Sequence, residues 1–330
     1  MRDTMPYEKK KEEAGKTFQT LCELMTELGY KYEKNEEKLR LESNADSGGL
    51  EIPFTLEVHR HYQTVIFRSR LPFTVREDCK NAVTAAIDRI NAALSNGAFG
   101  FSFQTGKIYF HRVQFFRESL VGKEAYKEFL QGALRVVDGY NGALFCLGSG
   151  FASLDGFFSQ TGAFAEENAQ PDERTAKRGK ELFNSFCALL DEENLPYDTY
   201  EGELRLSLSL PAEYLAIDVD FEIDLRRQLV KFSSPLPFAI DEEYAEVCAR
   251  AACETDYILH IGELVHFGER QTVALRAATG FKNSLLGKSL LRAMFDFITI
   301  TVEIYNYKFY MLNNGMVGMD YYLDFLHDIT

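Results

Sequence analysis

Apolar residues change period at regular intervals along the chain. Phe18, Leu21, Cys22, Met25 and Leu28 recur at helical spacing and predict a first helix over about 8–29. Alternation follows. Leu39 and Leu41, then Ile52, Phe54, Leu56 and Val58, then Val65 and Phe67 predict three strands. Breaks at Asp46–Gly49 and His59–Gln63 suit antiparallel hairpins. Leu71-Pro72-Phe73 ends this run, because proline has no N–H to give to a ladder. Cys79, Ala82, Val83, Ala86, Ile90 and Ala93 then predict a second helix over about 75–95, closed by Asn96-Gly97. Phe99, Phe101 and Phe103 enter a two-stranded hairpin. Tyr126, Phe129, Leu130, Ala133, Leu134 and Val137 predict a third helix over about 122–140.

The same pattern then starts again. FQTLC at 18–22 is answered by FNSFC at 183–187, VIFRSRLPF at 65–73 by VKFSSPLPF at 230–238, and SLVGK at 119–123 by SLLGK at 284–288. Each pair lies 165 positions apart without a gap, and roughly 30 of about 133 aligned positions are identical. The chain therefore reads as two copies of one domain, at 7–150 and 172–315, joined by a linker at 151–171 and followed by a C-terminal extension at 316–330. Each copy has the order α-β-β-β-α-β-β-α. Runs of neighbouring strands with few helices between them imply antiparallel sheets in the α+β class.

This order, with the Leu-Pro-Phe exit at 71–73 and 236–238 and the glycine before the last helix (Gly122, Gly287), resembles the YbjN-like family. That family is described as bacterial sensory transduction regulators, with a fold similar to class I type III secretion chaperones. The resemblance implies a non-enzymatic regulatory or chaperone-like protein that binds a protein or peptide partner, with no catalytic residues and no cofactor. Secretion chaperones of this type pair as homodimers. Two copies in one chain imply a monomer whose halves form a pseudo-symmetric intramolecular dimer, at less cost in lost freedom than two separate chains would bear.

Composition narrows the setting. The net charge of −14 argues against nucleic acid and against anionic lipid as partners. No apolar run is long enough for a membrane span, and the first residues lack a secretory signal core, so the expected location is the cytoplasm. The six cysteines form no CxxC pair and read as small buried hydrophobes. The charge is divided unequally. Over 16–150, 17 Lys and Arg face 16 Asp and Glu, a net of +1; over 175–315, 14 face 22, a net of −8.

Several groups invite chemistry. Asp218, Asp220, Glu222 and Asp224 alternate along one strand of the second copy. They are spread too widely for one ion, and offer instead a partner-binding face for a basic peptide, with Arg205 and Lys231 on the flanking strands as their internal counterions. His59 and His61 are the only local histidine pair and lack a third metal ligand nearby. The alternative to polypeptide binding is a small-molecule sensor or an enzyme with its site between the two copies. His111, Arg112, His266 and Arg276 would then be the residues to gather there.

TGFKNSLLGKS at 279–289 looks like a phosphate loop but has six residues, not four, between Gly280 and Gly287. What both copies share is Ser-Leu-x-Gly-Lys leading into the third helix. Ser119 and Ser284 are expected to cap that helix or turn its start, Leu120 and Leu285 to anchor it hydrophobically, and Gly122 and Gly287 to let it start close to the sheet. The Asn/Gly-rich stretch 140–150 reads as an exit from the third helix. Met316, Met319, Tyr322, Leu323 and Leu326 mark one side of a short C-terminal helix packed on its own domain.

Overall fold

A computed structural model describes residues 5–47, 50–161, 170–268 and 271–328. The first half runs α1 (Tyr7–Glu27), β1 (Tyr32–Asn35), β2 (Arg40–Ser47), β3 (Leu50–His59), β4 (Thr64–Arg70), α2 (Lys80–Ala93), β5 (Ala98–Ser102), β6 (Lys107–Phe115) and α3 (Lys123–Gly148). A short helix, α4 (Leu154–Thr161), lies in the joining segment. The second half runs α5 (Glu173–Glu192), β7 (Asp198–Thr199), β8 (Arg205–Leu210), β9 (Ile217–Asp224), β10 (Leu229–Pro235), α6 (Ala245–Ile258), β11 (Glu263–Phe267), β12 (Thr272–Gly280) and α7 (Lys288–Asn313), followed by α8 (Met319–Asp328).

Among the described residues the chain is thus an α+β protein with eight α-helices and two antiparallel sheets of six strands, ordered β1-β2-β3-β4-β6-β5 and β7-β8-β9-β10-β12-β11. The halves are alike down to their turns. Positive φ recurs one repeat apart at Gly29 and Asn194, Gln63 and Gln228, Gly97 and Gly262, Gly106 and Gln271, Glu118 and Asn283, and Gly150 and Gly315.

Two expectations need correction. Each half carries one more strand than the α-β-β-β-α-β-β-α reading allows, because β1 and β7 are edge strands with too little apolar alternation to register: YEKN is half-exposed to exposed, and β7 is two exposed residues. The third helix continues through 140–148, where Tyr140, Leu144 and Leu147 keep the buried face going past Asn141 and Gly142. The 151–171 linker, by contrast, does as its Phe residues suggest and packs down in part: it contains α4, whose Phe157 is buried in the first core; residues 162–169, like 48–49 in the expected Asp46–Gly49 break, lie outside the described residues.

In the first half, Phe18, Leu21 and Met25 of α1 and Phe129, Leu130 and Val137 of α3 bury against Leu41, Phe54, Leu56 and Phe67 of the sheet. The opposite face of β4 and β6 is covered over most of its length, with Arg70 exposed at the end of β4. Its Ile66, Val113 and Phe115 belong to the second half's core, while Cys253 of α6 belongs to the first. Helix α6 packs on β5, and α2 packs on β11. Gly100 permits the first of these approaches, since a Cβ there would collide with the Tyr257 backbone. Helix α8 packs on α6 and α7 with Tyr322 and Leu326 buried, whereas Met316 precedes the helix and is exposed.

Candidate functional site

The Ser-Leu-x-Gly-Lys joints of the two halves meet each other. Leu120 N–H donates to Leu285 O at 2.9 Å and Leu285 N–H donates to Leu120 O at 2.8 Å, an isolated antiparallel bridge. Ser284 Oγ accepts from Gly122 N–H at 3.1 Å, and Ser119 Oγ accepts from Gly287 N–H at 3.0 Å. Each serine therefore holds the residue that precedes the other half's helix rather than its own. The glycines are needed for the same reason. A Cβ on Gly122 would lie 2.5 Å from Asn283 O, and one on Gly287 would lie 2.5 Å from Glu118 O. They bring each helix start close to the opposite joint, not to its own sheet as expected.

The leucines also depart from expectation. Leu120 is 72% and Leu285 55% exposed, because both joints use their backbones to pair and turn these side chains outward. They lie on the floor of a groove of about 1050 Å³ between α1 and α5. One wall is the α1 face carrying Glu13, Lys16, Thr17 and Thr20; the other is the first turns of α5, from its cap Asp172 through Arg174, Lys177, Arg178 and Glu181. Tyr126 of the lining is buried, and that burial pushes its phenol well above its ordinary range.

Behind the groove the two halves are locked by buried polar contacts. Gln114 Nε2–H donates to Thr279 Oγ1 at 2.8 Å, one repeat length away, and Gln114 Oε1 accepts from Gly280 N–H at 2.9 Å. His111 Nε2–H donates to Gly262 O at 2.8 Å, and burial pushes this imidazole down to about 4. His266 Nδ1 and Asp88 Oδ2 stand 3.0 Å apart. Arg276 pairs with Glu263 at 3.0 Å and donates to Asn91 O at 3.0 Å. Arg112 lines a separate hollow of about 100 Å³ with Arg226, Arg227 and Glu128. The four residues considered for a site between the copies are thus spread through a packed junction, and none lines the groove.

The carboxylate row of β9 is largely engaged within its own sheet. Asp220 pairs with Arg205 at 3.2 Å, Glu222 approaches Lys231 at 3.7 Å, and Asp224 binds Lys231 at 2.6 Å and Arg227 at 3.1 Å. Burial alone would raise the Asp224 carboxyl, but the hydrogen bonds from Lys231 and Arg227 outweigh it and hold it below its usual range. The Asp218 carbonyl accepts from Ser234 Oγ at 2.5 Å. His59 and His61 both contact the Tyr62 ring, His59 tilted with centroids 4.7 Å apart and His61 edge-on at 5.1 Å.

Among the described residues no group of three or more His, Cys, Asp or Glu is placed to hold a metal, and no helix is long and apolar enough to cross a membrane. No family model, curated protein or solved structure matches the chain.

The groove escapes sequence reading because its lining comes from five separated segments. Its one visible signal is a leucine repeated at the same place in both joints, and an apolar residue before a helix reads by default as a core anchor.

Proposed function

We propose that the chain is a non-enzymatic regulatory protein that binds a polypeptide partner in the groove between α1 and α5. In this reading the halves take the places of the two subunits of a secretion-chaperone-like homodimer, the chain is a tandem YbjN-like protein of the cytoplasm, and it works as a monomer. The reciprocal contacts at the two joints favour a dimer-like arrangement, since in an isologous interface residue i meets j and j meets i.

The observation that carries the proposal is the pair of exposed leucines on the groove floor. Two large apolar side chains held side by side in a concavity are a docking feature, not a stabilising one. The volume of about 1050 Å³ sits at the upper end of small-molecule sites, which run to about 1,000 Å³. The lining mixes apolar floor with solvated charged walls, and it gathers none of the buried histidines or carboxylates that acid–base chemistry would use.

A thermal-shift comparison tests this. Peptides selected on the full chain should raise its melting temperature and should lose that effect in the Leu120→Ser/Leu285→Ser variant. Stabilisation by a metabolite in both proteins, with no peptide effect, would transfer the assignment to a small-molecule sensor.

A further inference from the structure

We infer that the groove takes an acidic segment of another protein, in one orientation, with its apolar side chains on Leu120 and Leu285 and its carboxylates toward α5. The inference rests on the polypeptide-binding reading above and adds the partner's charge and direction.

The argument starts from which groove charges are already engaged. Glu13 accepts from Glu118 N–H at 3.2 Å, Asp172 from Thr175 N–H at 2.7 Å, and Glu181 pairs with Arg178 at 3.2 Å. Every acid of the lining therefore has a partner in the chain. Among the cations, Lys16 pairs with Glu12 at 2.6 Å and Lys282 with Glu128 at 3.2 Å. Arg174 and Lys177 remain. Both are exposed on α5, and neither makes a hydrogen bond or ion pair among the described residues. A protein of net charge −14 thus presents two exposed cations without an ion pair at the rim of this groove; Arg174 helps to hold the Asp172 carboxyl down without bonding to it. A local field opposite to that of the whole molecule favours an acidic segment at this place and repels it elsewhere.

Direction follows from divergence of the two walls. The positions matching Glu13 and Lys16 of α1 are Arg178 and Glu181 of α5, so the charges are exchanged between copies; the position matching Lys177 is Glu12. Two identical chains would build identical walls and bind a segment equally well either way round. A tandem chain is free of that constraint, and here the free positive charge lies on one wall only. The bound segment runs one way, at one per chain.

Selection from a library of displayed random peptides, on the full chain and in low salt, tests this directly. The expected result is enrichment of peptides with Asp and Glu in excess of Lys and Arg. Enrichment should vanish on Leu120→Ser/Leu285→Ser and change sign of charge on Arg174→Glu/Lys177→Glu. A selected acidic peptide should lose about tenfold or more in affinity with the charge reversal, and less with Lys16→Glu on the opposite wall. It should bind at one per chain and weaken as salt rises. Leucine-dependent peptides that are neutral or basic would overturn the inference while leaving polypeptide binding intact. Two peptides per chain would overturn the single orientation. No leucine-dependent enrichment would remove both the inference and the reading beneath it. Concentration-dependent dimerisation of the chain, abolished by the leucine variant, would assign the groove to a second copy instead. Circular dichroism of the variants checks that these exposed changes leave the fold in place.

Discussion

Leu120 and Leu285 occupy the same place in the two similar halves and bond to each other, N–H to O, in both directions. The pairing fixes the backbones of two helix starts against one another and leaves both side chains facing a groove. Structure and proposed recognition thus meet in one short joint, and most of the expected effects below follow from it.

Gly122→Ala and Gly287→Ala each place a methyl carbon against a backbone oxygen at 2.5 Å, an atom that cannot rotate away. Each change should cost about 1–3 kcal/mol, measured by urea unfolding. The two sites share one joint, so the double variant should deviate from the sum. Wild-type stability in either alanine variant would mean that the joints do not approach as described.

Ser284→Ala removes the acceptor for Gly122 N–H, and Ser119→Ala removes that for Gly287 N–H. A loss of about 1 kcal/mol is expected for each. Hydrogen exchange should reveal where it falls. Ser284→Ala should speed exchange at the start of α3, in the opposite half, and Ser119→Ala at the start of α7. Faster exchange confined to the mutated half would contradict the crossed capping.

His111 gives the junction an acid sensitivity. Its ordinary value of 6.5 falls to about 4 on burial, so the folded state holds its proton less readily than the unfolded one. The contribution is complete above about pH 6.5 and is lost as pH falls towards 4, amounting to about 3 kcal/mol. His111→Gln keeps a donor for Gly262 O and should lose less stability across that window than the parent. Parallel pH curves for the two proteins would place the sensitivity elsewhere.

Asp256 has the opposite sign. It is buried, its Oδ1 accepts from Leu264 N–H at 2.7 Å, and its Oδ2 has no partner among the described residues. Burial pushes its carboxyl well above the usual range. Its contribution is therefore present below its unfolded value near 4 and declines as pH rises through the folded value. Asp256→Asn should match the parent near pH 4 and exceed it in urea midpoint at neutral pH. A variant less stable at pH 7 would show that the ionised carboxylate is used.

Much of this fold was legible from period alone. The alternation of Ile52, Phe54, Leu56 and Val58 and the helical run from Phe18 to Met25 appear as the inner face of β3 and the buried face of α1. The constant offset of 165 identified the matching positions in advance, as Gln114 and Thr279 illustrate. It could not say that matching positions touch. Contact between copies depends on backbone approaches, at Gly100 and at the joints, that no side-chain pattern records. The polar edge strand Tyr32–Asn35 carried no apolar alternation to read. Leu120 and Leu285 were misplaced for a related reason, since hydrophobicity signals burial and says nothing of residues held outward for a partner.

The most direct test of the central claim is hydrogen exchange of the full chain with and without a peptide selected on it. The account predicts new protection at 13–20 in α1, at 119–122 and 282–285 in the joints, and at 172–181 in α5, absent in Leu120→Ser/Leu285→Ser. Protection confined to the Asp218–Asp224 face of β9, or protection of the joints unaffected by the leucine changes, would contradict it.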